Sequence, residues 1–281
     1  MTEISGTTRI FPVIGWPVEQ VKAPTLFNAF FRQHGIDARV IPLKVPPAHY
    51  TYAVRTLMAM ENVGGIFVSI PHKPMSVAAV DEASPRARLA GACNAIYRGA
   101  DGRILGDLID GEGFIRAFDR TCAGTPFPWR SASALVVGSG GVGCAVAEAL
   151  AARGIARLAI CDTRPEQAEA LRERLQAAFP AVRVAVGTPH AAGHDLVVNC
   201  TPLGMHVDDP LPVDLAGIAP GAIVADCGMK IEMTRLLHTA QELGCRIQKG
   251  KEMMIEQSPL YLELFGWHGI SADSFRALEA L

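Results

Sequence analysis

Apolar and polar positions along this chain alternate in two rhythms. Short apolar runs bounded by turn residues occur at Arg9–Ile14, Ala38–Leu43, Gly65–Ile70 and Asn94–Tyr97, and their length and composition predict strands. Between them, Thr25–His34 and His49–Met60 carry apolar residues at three- and four-residue steps, the spacing that gathers them on one face of a helix. Strands alternating with helices predict parallel pairing, because each crossover returns the chain to the same end of the sheet.

The pattern restarts near Ser131. Ala134–Val137 reads as a buried strand, Gly138–Gly143 as a glycine loop and Ala145–Arg153 as an alanine-rich helix. Further strands are expected at Ala156–Cys161, Val182–Val186, Asp195–Asn199 and Ala222–Ala225, with a charged-faced helix at Glu166–Ala178. Met253–Phe265 has helical period after a turn at Lys249-Gly250-Lys251, and is expected to fold back onto the first domain. The class is therefore α/β: an N-terminal α/β substrate domain, residues 1–106 with 252–281, and a Rossmann-type dinucleotide-binding domain, residues 107–251. A hinge is expected near residues 106–115, and Thr121–Ser131, with its prolines and glycine, fits a connection between cores.

Composition narrows the function classes. A chain of 281 residues is long enough for two modest cores. A formal charge of −2 offers no basic field for nucleic acid or an anionic membrane. No apolar run reaches the roughly 18 residues of a membrane span, and the polar stretch Met1–Thr8 lacks the layout of a secretory signal. The seven cysteines stand singly without a C-x-x-C pair, which argues against a disulfide framework or a zinc site and for reduced thiols in the cytosol. The expected partner is a small molecule, no metal is expected, and the pattern sets no oligomeric state.

Gly138-Ser139-Gly140-Gly141-Val142-Gly143 matches G-x-G-x-x-G between a strand and a helix, the context in which the motif binds a dinucleotide. There the first glycine turns the chain and the second admits the pyrophosphate. The third packs helix on strand, so the helix N-terminus faces the anion. Asp162 closes the next strand, near the position where an acid accepts the ribose hydroxyls about 20 residues on; it also suits the N-cap of the following helix. A carboxylate there repels a 2′-phosphate by about 1–4 kcal/mol at ~4 Å, so NAD is expected over NADP. Arg164 keeps NADP open by offering that phosphate a cation. Asn199-Cys200-Thr201-Pro202-Leu203-Gly204-Met205 ends another strand on the same edge. Asn199, Thr201, Pro202, Gly204 and Met205 would line the nicotinamide-side ribose, or form a structural turn.

In the first half, chemistry concentrates in Val68-Ser69-Ile70-Pro71-His72-Lys73, in Gly91-Ala92-Cys93-Asn94 and in Gly106-Asp107-Leu108-Ile109-Asp110-Gly111-Glu112-Gly113, where a carboxylate sits in a glycine-flanked turn whose backbone can come close to a ligand. Alone, Lys73 reads as a surface lysine, Asp110 as a cap of a helix at Gly113–Phe118, His72 as a packed neighbour and Gln257 as a half-exposed amide.

With Gly15-Trp16-Pro17 and Gln257, these pieces resemble the shikimate/quinate dehydrogenase family over essentially the whole chain. The resemblance is carried by I-P-H-K, G-A-C-N, D-G-E-G, G-S-G-G-V-G and E-M-M-I-E-Q in that order. It implies an NAD(P)-dependent alcohol dehydrogenase with Lys73 and Asp110 as catalytic pair. Ser69, Asn94 and Gln257 would contact a small cyclic hydroxy acid or polyol. The departures are specific. Val21 and Ala23 stand where the family has two carboxylate-binding serines, Leu108-Ile109 where it has asparagine-threonine, Met229 where it has a tyrosine, and Phe67 where it has an asparagine. Its NADP enzymes carry asparagine-arginine-threonine where this chain has Asp162-Thr163-Arg164. The dismantled clamp motivates an alternative, an NAD-binding sensor or scaffold without turnover. For the enzyme, Lys73 is either a desolvated base oriented by Asp110 or a charged donor, since only about one ordinary lysine in 2,500 is neutral at pH 7.

Overall fold

The computed structural model describes residues 4–278. Met1–Glu3 and Glu279–Leu281, which the expected domain limits include, lie outside the described residues. The chain divides into two compact units: one holds the chain up to Ile109 and again from Gln257, the other is Asp110–Glu256.

In the first unit, β1 (Arg9–Gly15), α1 (Ala23–Gln33), β2 (Ala38–Lys44), α2 (Tyr50–Met58) and β3 (Gly65–Val68) alternate as the hydrophobic pattern predicts. β1 lies between β2 and β3 and is parallel to both. α1 buries Leu26, Phe27, Phe30 and Phe31, a three-to-four spacing that turns one face to the sheet. After α3 (Ser76–Ala79), β4 (Glu82–Ala83) and α4 (Pro85–Ala90) come β5 (Ala95–Arg98) and β6 (Ile104–Asp107). β5 runs antiparallel to both β3 and β6, and the sheet order is β2-β1-β3-β5-β6-β4. The expectation of purely parallel pairing is therefore corrected for this sheet. The link from β5 to β6 is too short for a crossover helix, so the chain must double back. Its Asp101-Gly102 pair is a hairpin signal present in the sequence.

The end of β6 is held by an ion pair between buried Asp107 and half-buried Arg86. Asp107 accepts hydrogen bonds from Arg86 Nε at 2.8 Å and Arg86 Nη2 at 2.6 Å, from Ser84 Oγ at 2.5 Å and from the Leu108 N–H at 2.7 Å. Burial raises its pKa, but these donors and the Arg86 charge outweigh burial and hold it below the usual value.

The second unit contains α5 (Asp110–Thr121), β7 (Ser133–Val137), α6 (Gly141–Ala152), β8 (Arg157–Cys161), α7 (Pro165–Ala178), β9 (Arg183–Val186), β10 (Leu196–Asn199), β11 (Ile223–Asp226), α8 (Arg235–Glu242) and β12 (Arg246–Gln248). Its six strands are all parallel, in the order β12-β11-β10-β7-β8-β9. β7, β10 and β11 are buried along their whole length, which is why they read as unbroken apolar runs. Strand order reverses between β7 and β10, the switch point where open α/β sheets bind ligands.

α5 opens at Asp110 itself, so Asp110 is a helical residue rather than part of a free turn. Gly111 serves packing: a Cβ there would sit 2.2 Å from the Ala145 carbonyl oxygen and 2.8 Å from Ala149 Cβ on α6. The expectation that these glycines admit a ligand is corrected for Gly111, whose missing side chain admits a neighbouring helix.

The last long helix, α9 (Gly250–Leu264), begins before the expected Met253, and the division between units falls inside it. Its C-terminal part returns to the first unit. Tyr261 and Phe265 pack their rings 4.5 and 5.1 Å from Phe67, and Phe275 of α10 (Asp273–Arg276) stacks 4.5 Å from Phe30. Among the described residues no helix is long and apolar enough to cross a membrane.

Two consequences are measurable. Gly111→Ala forces a methyl against a backbone oxygen and should lower unfolding free energy by about 1–3 kcal/mol; an unchanged urea midpoint would contradict the contact. Asp107→Asn breaks a pair in which Arg86 keeps 34% side-chain exposure, so the loss should fall at about 2–4 kcal/mol, below a fully buried pair. Because the folded pKa of Asp107 is depressed, its contribution is present above the unfolded value near 3.9 and is lost as pH falls through the folded one. The variant's stability should accordingly fall less steeply than the wild type's in acid titration below about pH 4.

Candidate active site

Within the first unit, Ser69, Lys73 and Asn94 lie at or past the C-terminal end of β3. The Ser69 N–H donates to Ile14 O at 2.8 Å and the Trp16 N–H to Ile70 O at 2.9 Å, which ties the β1 and β3 exits together. The next turn carries Lys73, half-buried, whose carbonyl accepts the Cys93 N–H at 3.0 Å. The I-P-H-K turn is thereby stitched to the G-A-C-N segment, and Asn94 follows.

His72 is fully buried and stacked on Tyr50 with centroids 4.4 Å apart. Its Nε2 lies 2.8 Å from Val45 O, and Ser76 Oγ, itself 2.5 Å from the Tyr50 hydroxyl, donates to His72 O. Burial lowers its pKa against the opposing Val45 contact. His72 is a neutral packing residue that holds the turn bearing Lys73.

Asn94 is fully buried; its Oδ1 accepts the Ile109 N–H at 3.0 Å, and its carbonyl accepts the Val68 N–H at 2.7 Å and the Tyr261 hydroxyl at 3.4 Å. Its Nδ2 has no hydrogen-bond partner among the described residues. A buried donor left open costs about 1–3 kcal/mol; His72 Nδ1 and Gln248 Oε1 are likewise buried without a partner among the described residues. Gln257 is 5% exposed rather than half-exposed. Leu108 and Ile109 are buried, and Phe67 joins the aromatic core 4.8 Å from Phe27.

Within the second unit, the glycine turn has the shape its sequence predicts. Gly138 has φ +94° and donates its N–H to Cys161 O at 2.7 Å. A Cβ at Gly143 would lie 1.8 Å from Gly138 O, whereas one at Gly140 would meet nothing within 4 Å. Space beside Gly140 is thus open, and no side chain caps the N-terminus of α6. This is a backbone cradle for an anion.

Asp162 clasps the turn. Its Oδ2 accepts the Ser139 N–H at 2.7 Å and Ser139 Oγ at 2.8 Å, and its Oδ1 accepts the Arg164 N–H at 3.0 Å. Burial raises its pKa, but these donors, with the Arg164 charge, bring it below its ordinary value. The N-cap reading is corrected: Arg164 occupies the N-cap of α7, without a side-chain cap bond. The Arg164 side chain is mostly exposed, with Nε 3.7 Å from Asp162 Oδ1.

Asn199 faces inward. It is fully buried; Oδ1 accepts from the Thr201 N–H and Oγ1, and Nδ2 donates to Leu203 O and Asp226 Oδ1. Both atoms are committed, so its expected contact with a ribose is corrected to a shaping role in the turn. That turn places Thr201 beside Gly138, its Cγ2 3.0 Å from where a Gly138 Cβ would stand. Pro202, Gly204 and Met205 continue it, and the Gly204 N–H donates to Asp209.

Sequence reasoning missed Asp226, a buried carboxylate whose pKa is raised by burial against its donors. It accepts from Asn199, the Gly228 N–H and Thr234 Oγ1. An acid closing the apolar run Ile223–Ala225 was the available signal.

The profile of the shikimate dehydrogenase substrate binding domain matches residues 13–96. The shikimate dehydrogenase (NADP(+)) of Rhodospirillum rubrum is 36% identical over 284 aligned positions, covering 99% of this chain and 98% of its own. The structure of Listeria monocytogenes shikimate 5-dehydrogenase in complex with shikimate and NAD superimposes with a TM-score of 0.87 at 25% identity, covering 98% of both chains. Quinate dehydrogenase from Corynebacterium glutamicum in complex with NAD gives 0.84 at 25% identity, covering 96% of this chain and 97% of that one. With that identity across nearly its full length, the chain belongs to the shikimate dehydrogenase family.

Proposed function

We propose that this chain is an NAD(P)-dependent alcohol dehydrogenase of the shikimate/quinate type, acting on a secondary alcohol of a small cyclic hydroxy acid or polyol in the cytosol. The observation that carries the reading is the turn after β7, where Gly138 holds a positive φ and the third motif glycine has no room for a side chain. Gly138–Gly143, Asp162 and Arg164, with the Thr201–Met205 turn, are the residues that would hold the dinucleotide. When bound, that group supplies the hydride acceptor or donor.

The chain's own residues handle the substrate and its proton. Lys73 exchanges the proton of the reacting oxygen or polarises it, with Asp110 as its catalytic partner. Asn94 Nδ2, an open buried donor, together with Gln257 and Ser69, binds substrate hydroxyls. The serines expected to grip a carboxylate are Val21 and Ala23 here. Each lost donor removes about 1–3 kcal/mol from a charged ligand, which favours a polyol or a weakly held hydroxy acid. NAD is the preferred dinucleotide on this reading, because the ionised Asp162, just past β8, opposes a 2′-phosphate.

Incubating the protein with either dinucleotide and a panel of cyclic hydroxy acids and polyols should yield reduced cofactor with at least one of them. Tight dinucleotide binding with no turnover on any would instead favour a sensor. Lys73→Ala should lower kcat by about 10²–10⁴-fold while leaving dinucleotide affinity intact; near-normal turnover would remove Lys73 from the chemistry. NAD should bind about tenfold or more tightly than NADP, within the repulsion expected of a carboxylate near a phosphate, and Asp162→Asn should narrow that gap. Tighter binding of NADP to the wild type would overturn the preference.

A further inference from the structure

Two cysteines outside the proposed chemistry stand together. Cys200 and Cys227 directly follow the aligned residues Asn199 and Asp226 at the ends of the parallel strands β10 and β11, and their Sγ atoms are 3.8 Å apart. Neighbouring strands lie ~4.8 Å apart, inside the ~4.4–6.8 Å Cα separation that a disulfide accepts. Both thiols are free and half-buried, whereas Cys93, Cys122, Cys144, Cys161 and Cys245 are buried. Exposure therefore favours this pair over the other five thiols, although the contact with Cys227 and burial raise the Cys200 pKa.

The pair adjoins the glycine turn. A Cβ on Gly138 would lie 3.1 Å from the Cys200 carbonyl carbon, and one on Gly143 3.4 Å from Cys200 Cβ. β11 flanks β10 on the side away from β7, so drawing the sulfurs together to about 2 Å pulls Cys200 off that turn.

We propose that Cys200 and Cys227 form a dithiol modification site which peroxides convert to a disulfide, weakening dinucleotide binding. One thiol sulfur takes an oxygen from hydrogen peroxide, giving a sulfenic acid and water. The second thiol attacks that sulfur, forming the S–S bond and releasing a second water. The two thiols together lose two electrons and the peroxide gains them. The coupling to affinity rests on the dinucleotide reading above; the cross-link itself does not.

The test treats the full chain with hydrogen peroxide, maps its peptides by mass spectrometry and titrates NAD and NADP before oxidation, after it and after dithiothreitol. The expected product has lost two hydrogens, links Cys200 to Cys227, binds dinucleotide about fivefold or more weakly, as ordinary coupling between sites would give, and recovers on reduction. Cys227→Ser and Cys227→Ala should bind like the reduced wild type and keep that affinity through the same exposure. Sulfenic or sulfinic products without the cross-link, linkage to another cysteine, or a linked protein of unchanged affinity would each overturn the proposal. A cross-link in a chain that binds neither dinucleotide when reduced would uphold the dithiol site and strike the cofactor reading instead.

Discussion

The carbonyl oxygen of Gly138 governs the second unit. It points into the space where a side chain at position 143 would begin, 1.8 Å from that absent Cβ, so α6 can start this close to β7 only because both positions are glycine. That proximity leaves the uncapped N-terminus of α6 just past the strand exit, beside open space at Gly140, and an anion gains most from helix amides and dipole there. Asp162 then fixes the turn through Ser139. The carboxylate that would meet the ribose is thus also a structural clasp, and the turn is shaped before any ligand arrives. Preorganisation of this kind lowers the ordering cost of binding.

The first unit achieves a comparable rigidity through buried polar groups. Asn94 spends its side-chain Oδ1 on the Ile109 N–H and leaves its Nδ2 donor open. Asp107, fixed by Arg86 and Ser84, locks the strand end two residues before Ile109. His72, Tyr50 and Ser76 seat the turn that carries Lys73 from the opposite side. Each group is costly to bury unless satisfied, and Asn94 Nδ2 and His72 Nδ1 are the buried side-chain atoms of this unit without a partner among the described residues.

Much of this was legible in the sequence. The parallel sheet of the second unit followed from apolar runs alternating with helical periods, because strands buried on both faces leave an unbroken apolar signature. The glycine turn was legible for the same reason that it works: a G-x-G-x-x-G motif between strand and helix has few alternative structural uses. What stayed hidden depended on distant contacts. The antiparallel β5–β6 hairpin is short and poor in alternation, and only its Asp-Gly pair betrayed it. Gly111 looked like a ligand-facing glycine because a one-dimensional pattern cannot separate close approach of a ligand from close approach of a helix. Asn199 looked like a site residue and proved to be wired to Asp226, a carboxylate some distance along the chain. Of the departures from the family pattern, Phe67 is explained by the aromatic core it enters, whereas nothing in the structure explains Met229, which is exposed.

Hydrogen exchange measured by mass spectrometry, with and without NAD or NADP, tests the central claim most directly, since it reads the opening of individual backbone segments. The account predicts slower exchange on dinucleotide binding at Gly138–Gly143, Asp162–Arg164 and Thr201–Met205. Unchanged exchange at Gly138–Gly143 at saturating dinucleotide, or protection confined to other segments, would contradict it.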